Sequence, residues 1–595
     1  MKTIILFAIG FMLTLYSCTR DVKTESKAID KTDVSEIFDS YWEDYLKFYP
    51  LEATQQGDNR YNGLLVNDQT QQFRDSLGIF YRKYLKEISK VEREELSKND
   101  KLSYDIFIYE INIQLLGLKT NEWMIPFSQF TGLPLTMGQL GSGDGFQPFK
   151  TKEDYSNWLK RIDGFAVWTD SAIVNFRKGI KAGVVLPKPL VEKMIPQMEA
   201  MVVEDPKKSL FYSPVSKFPK NLADSNKLAI TESYKQSILT KLSPSYKKLA
   251  VFLKEEYLPK SRSTTGINSV SGGKEMYSFL VKYWTTTNKT PEEIYQTGLA
   301  EVKRIKTEME KVKKEVNFAG DLNAFFEYMK TEPRFMPFKS PQDILNAFHG
   351  IHKTMEPKLR SMFGRVPKTP FEVRQTEAFR AASASAEYNP GSPDGSRPGI
   401  FYIPILDAKK FNITSGMESL FLHEAIPGHH YQISLQQENN DLPKFRQFAW
   451  YGAYGEGWAL YTESLGKELG LYTDPYQYMG ALGDEMHRAI RLVVDVAMHT
   501  KGMTREQAIK YMMDNEAITE EGAVAEIERY MAIPAQALSY KTGSLKIREL
   551  RNRYEAQLSK FNLADFHDEF LKDGVMPLDV VERKMDVWAQ IKMKK

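Results

Sequence analysis

The chain has 595 residues, 42% of them hydrophobic and 12% aromatic, enough to bury a large core. Lys and Arg total 80 against 77 Asp and Glu, and a net charge of +3 gives no electrostatic case for nucleic acid, whose binders concentrate basic surface. A single cysteine excludes an intramolecular disulfide, so apolar packing has to hold the fold together.

The chain opens with Met1-Lys2-Thr3, an apolar run from Ile4 to Tyr16, and Ser17-Cys18. A basic start, a short apolar stretch and a small-residue exit predict a secretory signal peptide over residues 1–17. The run is shorter than the ~20 apolar residues a membrane-spanning helix needs. Leu15-Tyr16-Ser17-Cys18 is similar to the bacterial lipobox, in which cleavage leaves the cysteine as a lipid-carrying N-terminus. Residues 18–34 are polar and lack apolar periodicity, as a flexible tether should. The expectation is an exported protein anchored to a bacterial membrane by lipid on Cys18, facing the periplasm or the cell surface.

From Ser35 the pattern turns helical. Tyr41, Trp42, Tyr45, Leu46 and Phe48 fit one face of a helix expected to stop at Pro50. The glycine-rich stretch Gly138 to Gly145 is too irregular for a phosphate cradle and lacks its lysine-serine partner, so it reads as a surface or cleft-rim loop. Thr290-Pro291-Glu292-Glu293 supplies an N-cap, a first-turn proline and a capping-box glutamate for a helix running to about Val316. The best strand is the apolar run Gly399 to Ile405, interrupted by Pro404, which follows a Gly/Pro/Ser-rich loop from Asn389 to Pro398. Thr504-Arg505-Glu506-Gln507 opens another helix by the same capping logic. Together these predict a mostly α-helical protein: one large domain over residues 35–595, which a deep cleft could divide into two lobes, with a small β element beside the helix that carries the chemistry.

That helix begins His423-Glu424-Ala425-Ile426-Pro427-Gly428-His429-His430, which holds three of the eight histidines in the chain. A zinc hydrolase site needs imidazole ligands, usually a third protein ligand, and a carboxylate beside the open position to move a proton. In HExxH the two histidines stand one helical turn apart. Here the candidates come six and seven residues after His423, about 9 and 10.5 Å along an unbroken helix axis, too far to share one ion. Pro427 cannot donate to the His423 carbonyl and its ring collides with it, while Gly428 admits backbone angles that other residues resist, so the helix must bend or bulge. Read as a two-residue insertion into HExxH, the segment makes His423 and His429 the ligands and Glu424 the general base. A three-residue bulge would exchange His429 for His430, which otherwise falls in the second shell or near substrate.

Gly455-Glu456-Gly457-Trp458 opens a helix about 25 residues later, and Glu456 is the candidate third ligand. A carboxylate capping that helix would look the same in sequence. Glu463, seven residues on, lies on about the same face and is the candidate second-shell or alternative ligand.

These residues carry a resemblance. Through HEAIPGHHYQ (423–432), GEGWALY (455–461), RLVVDVAMHTKGMT (491–504) and ERYMAIPAQALSYKTG (528–543), the chain resembles the bacterial family catalogued as domain of unknown function 885. The resemblance runs from about residue 35 to the C-terminus, with Ala535 standing where many members have glycine. It implies a zincin-like helical zinc metallopeptidase, often a lipoprotein, with Zn2+ as cofactor. Over His423, Glu424, the later histidine and Glu456 alone, the chain is also similar to glutamate-zincin oligopeptidases and dipeptidyl carboxypeptidases.

Supporting residues come from the C-terminal third. The Tyr540 hydroxyl could donate to a developing oxyanion, and Lys541 could hold a substrate carboxylate, although a packed tyrosine and a solvated lysine fit as well. Arg488, Arg491, Asp495 and His499 recur at helical spacing, and either substrate binding through Arg491 and His499 or a salt-bridged helix face would explain them. The expected function is zinc-dependent hydrolysis of short peptides, of carboxypeptidase, dipeptidyl carboxypeptidase or oligopeptidase type, with zinc-activated water and Glu424 as base. The alternatives are a zinc hydrolase of a non-peptide amide or ester, and a non-catalytic surface lipoprotein that binds glycans or peptides.

Overall fold

The first helix starts where an acceptor is available for its free N–H groups. The Asp33 carboxylate accepts from the Ser35 amide at 3.0 Å, and α1 (Val34–Phe48) follows, burying Ile37, Phe38, Tyr41, Trp42 and Leu46. The computed structural model describes residues 33–143, 145–376, 385–392 and 397–594, so the signal peptide, Cys18 and nearly all of the tether lie outside the described residues. The first helix stops at Phe48, just before Pro50, as expected, and Pro50 takes the first position of a second short helix, Pro50–Gln55, where its missing N–H costs nothing. The glycine-rich stretch is divided: Gly138 to Gly141 complete the helix Leu133–Gly141, where Gly141 packs so tightly that a Cβ would lie 2.3 Å from the Phe211 ring, while Gly143 and Gly145 line a large cavity, in keeping with the cleft-rim reading.

The protein is mostly helical. Besides α1, its principal helices are α2 (Lys98–Gly117), α3 (Lys152–Ala182), α4 (Pro291–Glu315), α5 (Met417–Glu424), α6 (His429–Gln437), α7 (Gly452–Glu463), α8 (Pro475–Thr500), α9 (Glu520–Ala532) and α10 (Ser539–Gln557). The predicted capping boxes at Thr290 and Thr504 are both formed. Two large apolar cores organise the chain. One joins α1, α2 and the site helices α5 and α7 to α10 through Phe38, Phe107, Phe421, Trp458 and Ile547. The other joins α3 and α4 to α8 and α9 through Trp158, Ile305, Ile490 and Ile527.

A small sheet sits against the site helices. Its strands β1 (Phe371–Gln375), β2 (Glu387–Asn389) and β3 (Gly399–Ile403) run in the order β1-β3-β2, with Val373 opposite Phe401 in parallel and Tyr388 opposite Phe401 antiparallel. Only β3 is signalled in the sequence, and it stops before Pro404 as expected. The outer strands are short and gain their identity from pairing with β3. Gly399 is fixed by contact rather than by turn geometry: a Cβ there would lie 2.2 Å from the Tyr388 hydroxyl and 2.9 Å from His430 Nδ1.

Candidate metal centre

The helix carrying His423 does not bend at Pro427; it ends. α5 stops at Glu424, Ala425 and Gly428 take non-helical angles, and α6 begins at His429. This corrects the expectation of a bulged single helix. Proline leaves the His423 carbonyl without its helical donor, and the chain folds back over it so closely that a Cβ on Gly428 would lie 1.9 Å from that oxygen. The Ile426–Pro427 peptide is cis. One neighbouring helix satisfies two of the carbonyls at the break. Thr462 donates to the Leu422 carbonyl at 2.8 Å, and the fully buried Trp458 donates through Nε1 to the Pro427 carbonyl at 2.9 Å. Both donors lie on α7, so the broken turn and the helix carrying Glu456 are fixed to each other.

The break brings the two rings together. His423 and His429 lie with centroids 4.9 Å apart and planes at 88°. Glu456 Oε2 stands 3.6 Å from His423 Nε2 and 3.5 Å from His429 Nε2, and one donor atom from each residue falls within 4.8 Å of the others. Two imidazole nitrogens and a carboxylate oxygen converge in a mostly buried space, a group that could hold a metal ion. Glu463, two turns along α7 from Glu456, accepts from His423 Nδ1 at 2.7 Å, which turns Nε2 toward the cluster. Glu456 sits in the second turn of α7 and faces the histidines, so its carboxylate is not the helix cap.

The charges respond to this packing. Burial opposes a charged His423, but the carboxylates of Glu456 and Glu463 outweigh it and push the imidazole up to about 10. Burial would raise Glu456, yet the two histidines beside it hold its carboxyl well below the usual carboxylate range. Burial raises Glu424, with Glu456 adding to the effect, and Glu424 accepts no hydrogen bond from a described residue.

Two close helix contacts complete the surroundings. A Cβ on Gly457 would lie 2.5 Å from the Gly543 Cα, and one on Gly543 would lie 1.8 Å from the Ala453 carbonyl, so glycine on both sides lets α7 and α10 touch backbone to backbone. That approach sets Tyr540 beside the cluster, its ring stacked with centroids 6.5 Å from His423, and the Arg491 guanidinium lies over the Tyr540 ring, 4.6 Å from its centroid.

The structure does not bring every candidate to the cluster. His430 turns to the sheet, where Nδ1 meets the Tyr388 hydroxyl at 3.0 Å and the ring packs 4.9 Å from Phe371. Burial lowers its pKa to about 4. Lys541, 2% exposed, pairs with Glu485 at 2.6 Å and Glu301 at 2.9 Å, tying α10 to α8 and α4. His499 accepts from the Ile267 amide at 3.0 Å through one ring nitrogen and donates to the Tyr530 carbonyl at 3.0 Å through the other. Arg491 is bound to Tyr530 and Glu526 on α9, and Asp495 accepts from Tyr277 and the Ala535 amide. Of the two alternatives for this face of α8, the salt-bridged one describes Arg491, but the face is buried, and substrate binding by Lys541 or His499 would break the contacts each already makes. Ala535 itself has φ +67°, the left-handed region that favours glycine.

Sequence reasoning missed Trp450. Its ring lies 6.0 Å from His429, it is 46% exposed, and it lines a cavity of about 1530 Å³. Ile433 and Gly452, one turn from His429 and Glu456, line the same cavity. No spacing rule marks Trp450; the nearest signal is Gly455, where a Cβ would lie 2.2 Å from the indole. Among the described residues no helix is long and apolar enough to cross a membrane.

Comparison with known proteins agrees with this architecture. The sequence model of a family described as "Bacterial protein of unknown function (DUF885)" matches residues 50–585. A crystal structure of a candidate lipoprotein from Colwellia psychrerythraea is 28% identical, with a TM-score of 0.85 over 94% of this chain and 99% of that one. A candidate lipoprotein of unknown function from Shewanella oneidensis shares the fold at 19% identity, with a TM-score of 0.73 over 93% of this chain and 99% of that one. No curated protein matches the chain.

Proposed function

We propose that this chain, which belongs to the bacterial family of unknown function DUF885, is a zinc-dependent hydrolase of short peptides. The observation that carries the reading is the convergence of His423, His429 and Glu456, with Glu424, which accepts no hydrogen bond from a described residue, next to the first of them. The donor set fits zinc: two nitrogens and one oxygen, with Glu463 orienting one imidazole. His423, His429 and Glu456 would hold the ion. Bound there, zinc supplies Lewis acidity toward a carbonyl oxygen and toward water. Glu424 removes the proton of the attacking water and returns it to the leaving amine. Tyr540, beside His423, is the phenol placed to donate to the carbonyl oxygen as its charge grows, and Arg491 steadies that ring. The large cavity lined by Trp450, Ile433 and Gly452 suits an extended peptide. Export and a lipid on Cys18 belong to the same reading, supported by the first 18 residues and by the designation of both relatives as candidate lipoproteins.

Digestion of a short-peptide library by the purified protein tests the reading. Cleavage is expected, lost with a zinc chelator and restored by added zinc, and the product ends identify the bond chosen. Absence of cleavage by the zinc-loaded protein, or cleavage indifferent to chelator, overturns it. A second measurement addresses Glu463. Glu463→Gln keeps an acceptor near His423 Nδ1 but loses its charge, and should weaken zinc affinity by about 10-fold; Glu463→Leu, which removes the acceptor, should approach 100-fold. Competition against a chromophoric chelator reads both, and unchanged affinity in the pair would detach Glu463 from the metal.

A further inference from the structure

The cavity beside Trp450 contains two carboxylates that no described cation neutralises. Glu52 accepts from the Tyr45 hydroxyl at 2.9 Å, while Glu110 accepts from Gln114 at 2.8 Å and from the Tyr451 hydroxyl at 3.0 Å. All three donors are neutral. Lys150, Lys217 and Arg397 line the same cavity, yet none forms an ion pair with either glutamate. Burial raises both carboxyls, and the charge on Glu110 raises Glu52 further.

The wall around them is aromatic. Trp42, Tyr45, Tyr283, Trp284 and Tyr451 line the cavity, and the Trp42 and Tyr45 rings stack 5.5 Å apart at 12°. Two further polar side chains line it, Asn62 and Gln147, each 2% exposed. Asn62 Oδ1 and Gln147 Nε2 have no hydrogen-bond partner among the described residues, one acceptor and one donor left unmade. Those are the complements of an amide N–H and C=O. Carboxylates withdrawn from water without a counter-charge are costly, and a ligand cation flanked by aromatic faces offsets that cost.

We propose that this cavity is a substrate subsite that binds a cationic group between Glu52 and Glu110, an ammonium or guanidinium carried by the peptide's N-terminus or by a basic side chain. The identification of the ligand as a peptide substrate rests on the hydrolase reading; the cation specificity rests on the cavity alone. Because Ile433 and Gly452 join this cavity to the helices of the metal cluster, a peptide held here would extend toward His429.

Calorimetric binding to the full mature chain carrying Glu424→Gln tests the proposal without turnover, whether or not the protein is a hydrolase. The probes are Lys-Ala-Ala-Ala, its N-acetylated form, the norleucine analogue, and the acetylated norleucine analogue that carries neither cation. The doubly neutral peptide should bind about 10-fold or more weakly than the first. Weakening by acetylation assigns the N-terminus as the source of the cation, and weakening by norleucine assigns the side chain; either supports the subsite. Adding Glu52→Gln and Glu110→Gln should make the four peptides bind alike, while affinity for the neutral peptide, an internal control for folding, stays within about twofold. Equal affinities for all four in the presence of both glutamates, a preference that survives their replacement, or no binding of any of them overturns the proposal. Retained preference without any hydrolysis in the library digest would instead count against the hydrolase reading alone.

Discussion

Glu424→Gln should reduce peptide hydrolysis by about 10²–10⁴-fold while zinc content stays near one ion per chain. Glutamine has the shape of glutamate but cannot take a proton from water, so the loss belongs to proton transfer. Glu424 stands at the end of α5, half-buried, beside His423 and with no described hydrogen bond to lose. Its replacement therefore leaves the neighbouring contacts intact, and removing a carboxyl that burial already disfavours should not lower stability. Steady-state kinetics and elemental analysis on one preparation separate the outcomes. Full activity would remove Glu424 from the role of base, and loss of zinc would make it a ligand.

The second large effect divides two adjacent histidines. His429→Ala should cost zinc affinity about 10³-fold or more, since one of the three residues proposed as ligands goes. His430→Ala should leave zinc bound. Its ring meets Tyr388 and Phe371 in the sheet, so its loss should cost stability instead, about 1–3 kcal/mol from a packed, hydrogen-bonded side chain. Zinc titration and thermal unfolding of the two variants read the contrast directly. Equal loss of zinc in both would place His430 in the metal set, against its orientation toward the sheet.

Local rules reached a good part of this protein. The capping threonines 290 and 504 name their helices because a cap is settled within four residues. Pro427 announces a break because it lacks the N–H that the helix requires at that position. How the break resolves was beyond such rules. Whether the chain bulges or ends depends on Thr462 and Trp458, which reach back from α7 to satisfy the exposed carbonyls. The strands β1 and β2 were likewise invisible, since three to five residues acquire strand character only by pairing with β3.

The same division runs through the site. Sequence by itself determined a mostly helical chain without disulfides, a forced break after His423-Glu424, and a short list of nitrogen and oxygen donors near it. Tertiary structure decided which donors meet. Tyr388 on a strand withdraws His430, Glu463 turns His423, and Glu301 and Glu485 engage Lys541. The reason is physical. Spacing along a chain sets backbone geometry over a turn or two, whereas the direction of a ring and the partner of a buried charge are set by elements distant in sequence, through desolvation and hydrogen bonds that exist only once the helices have packed.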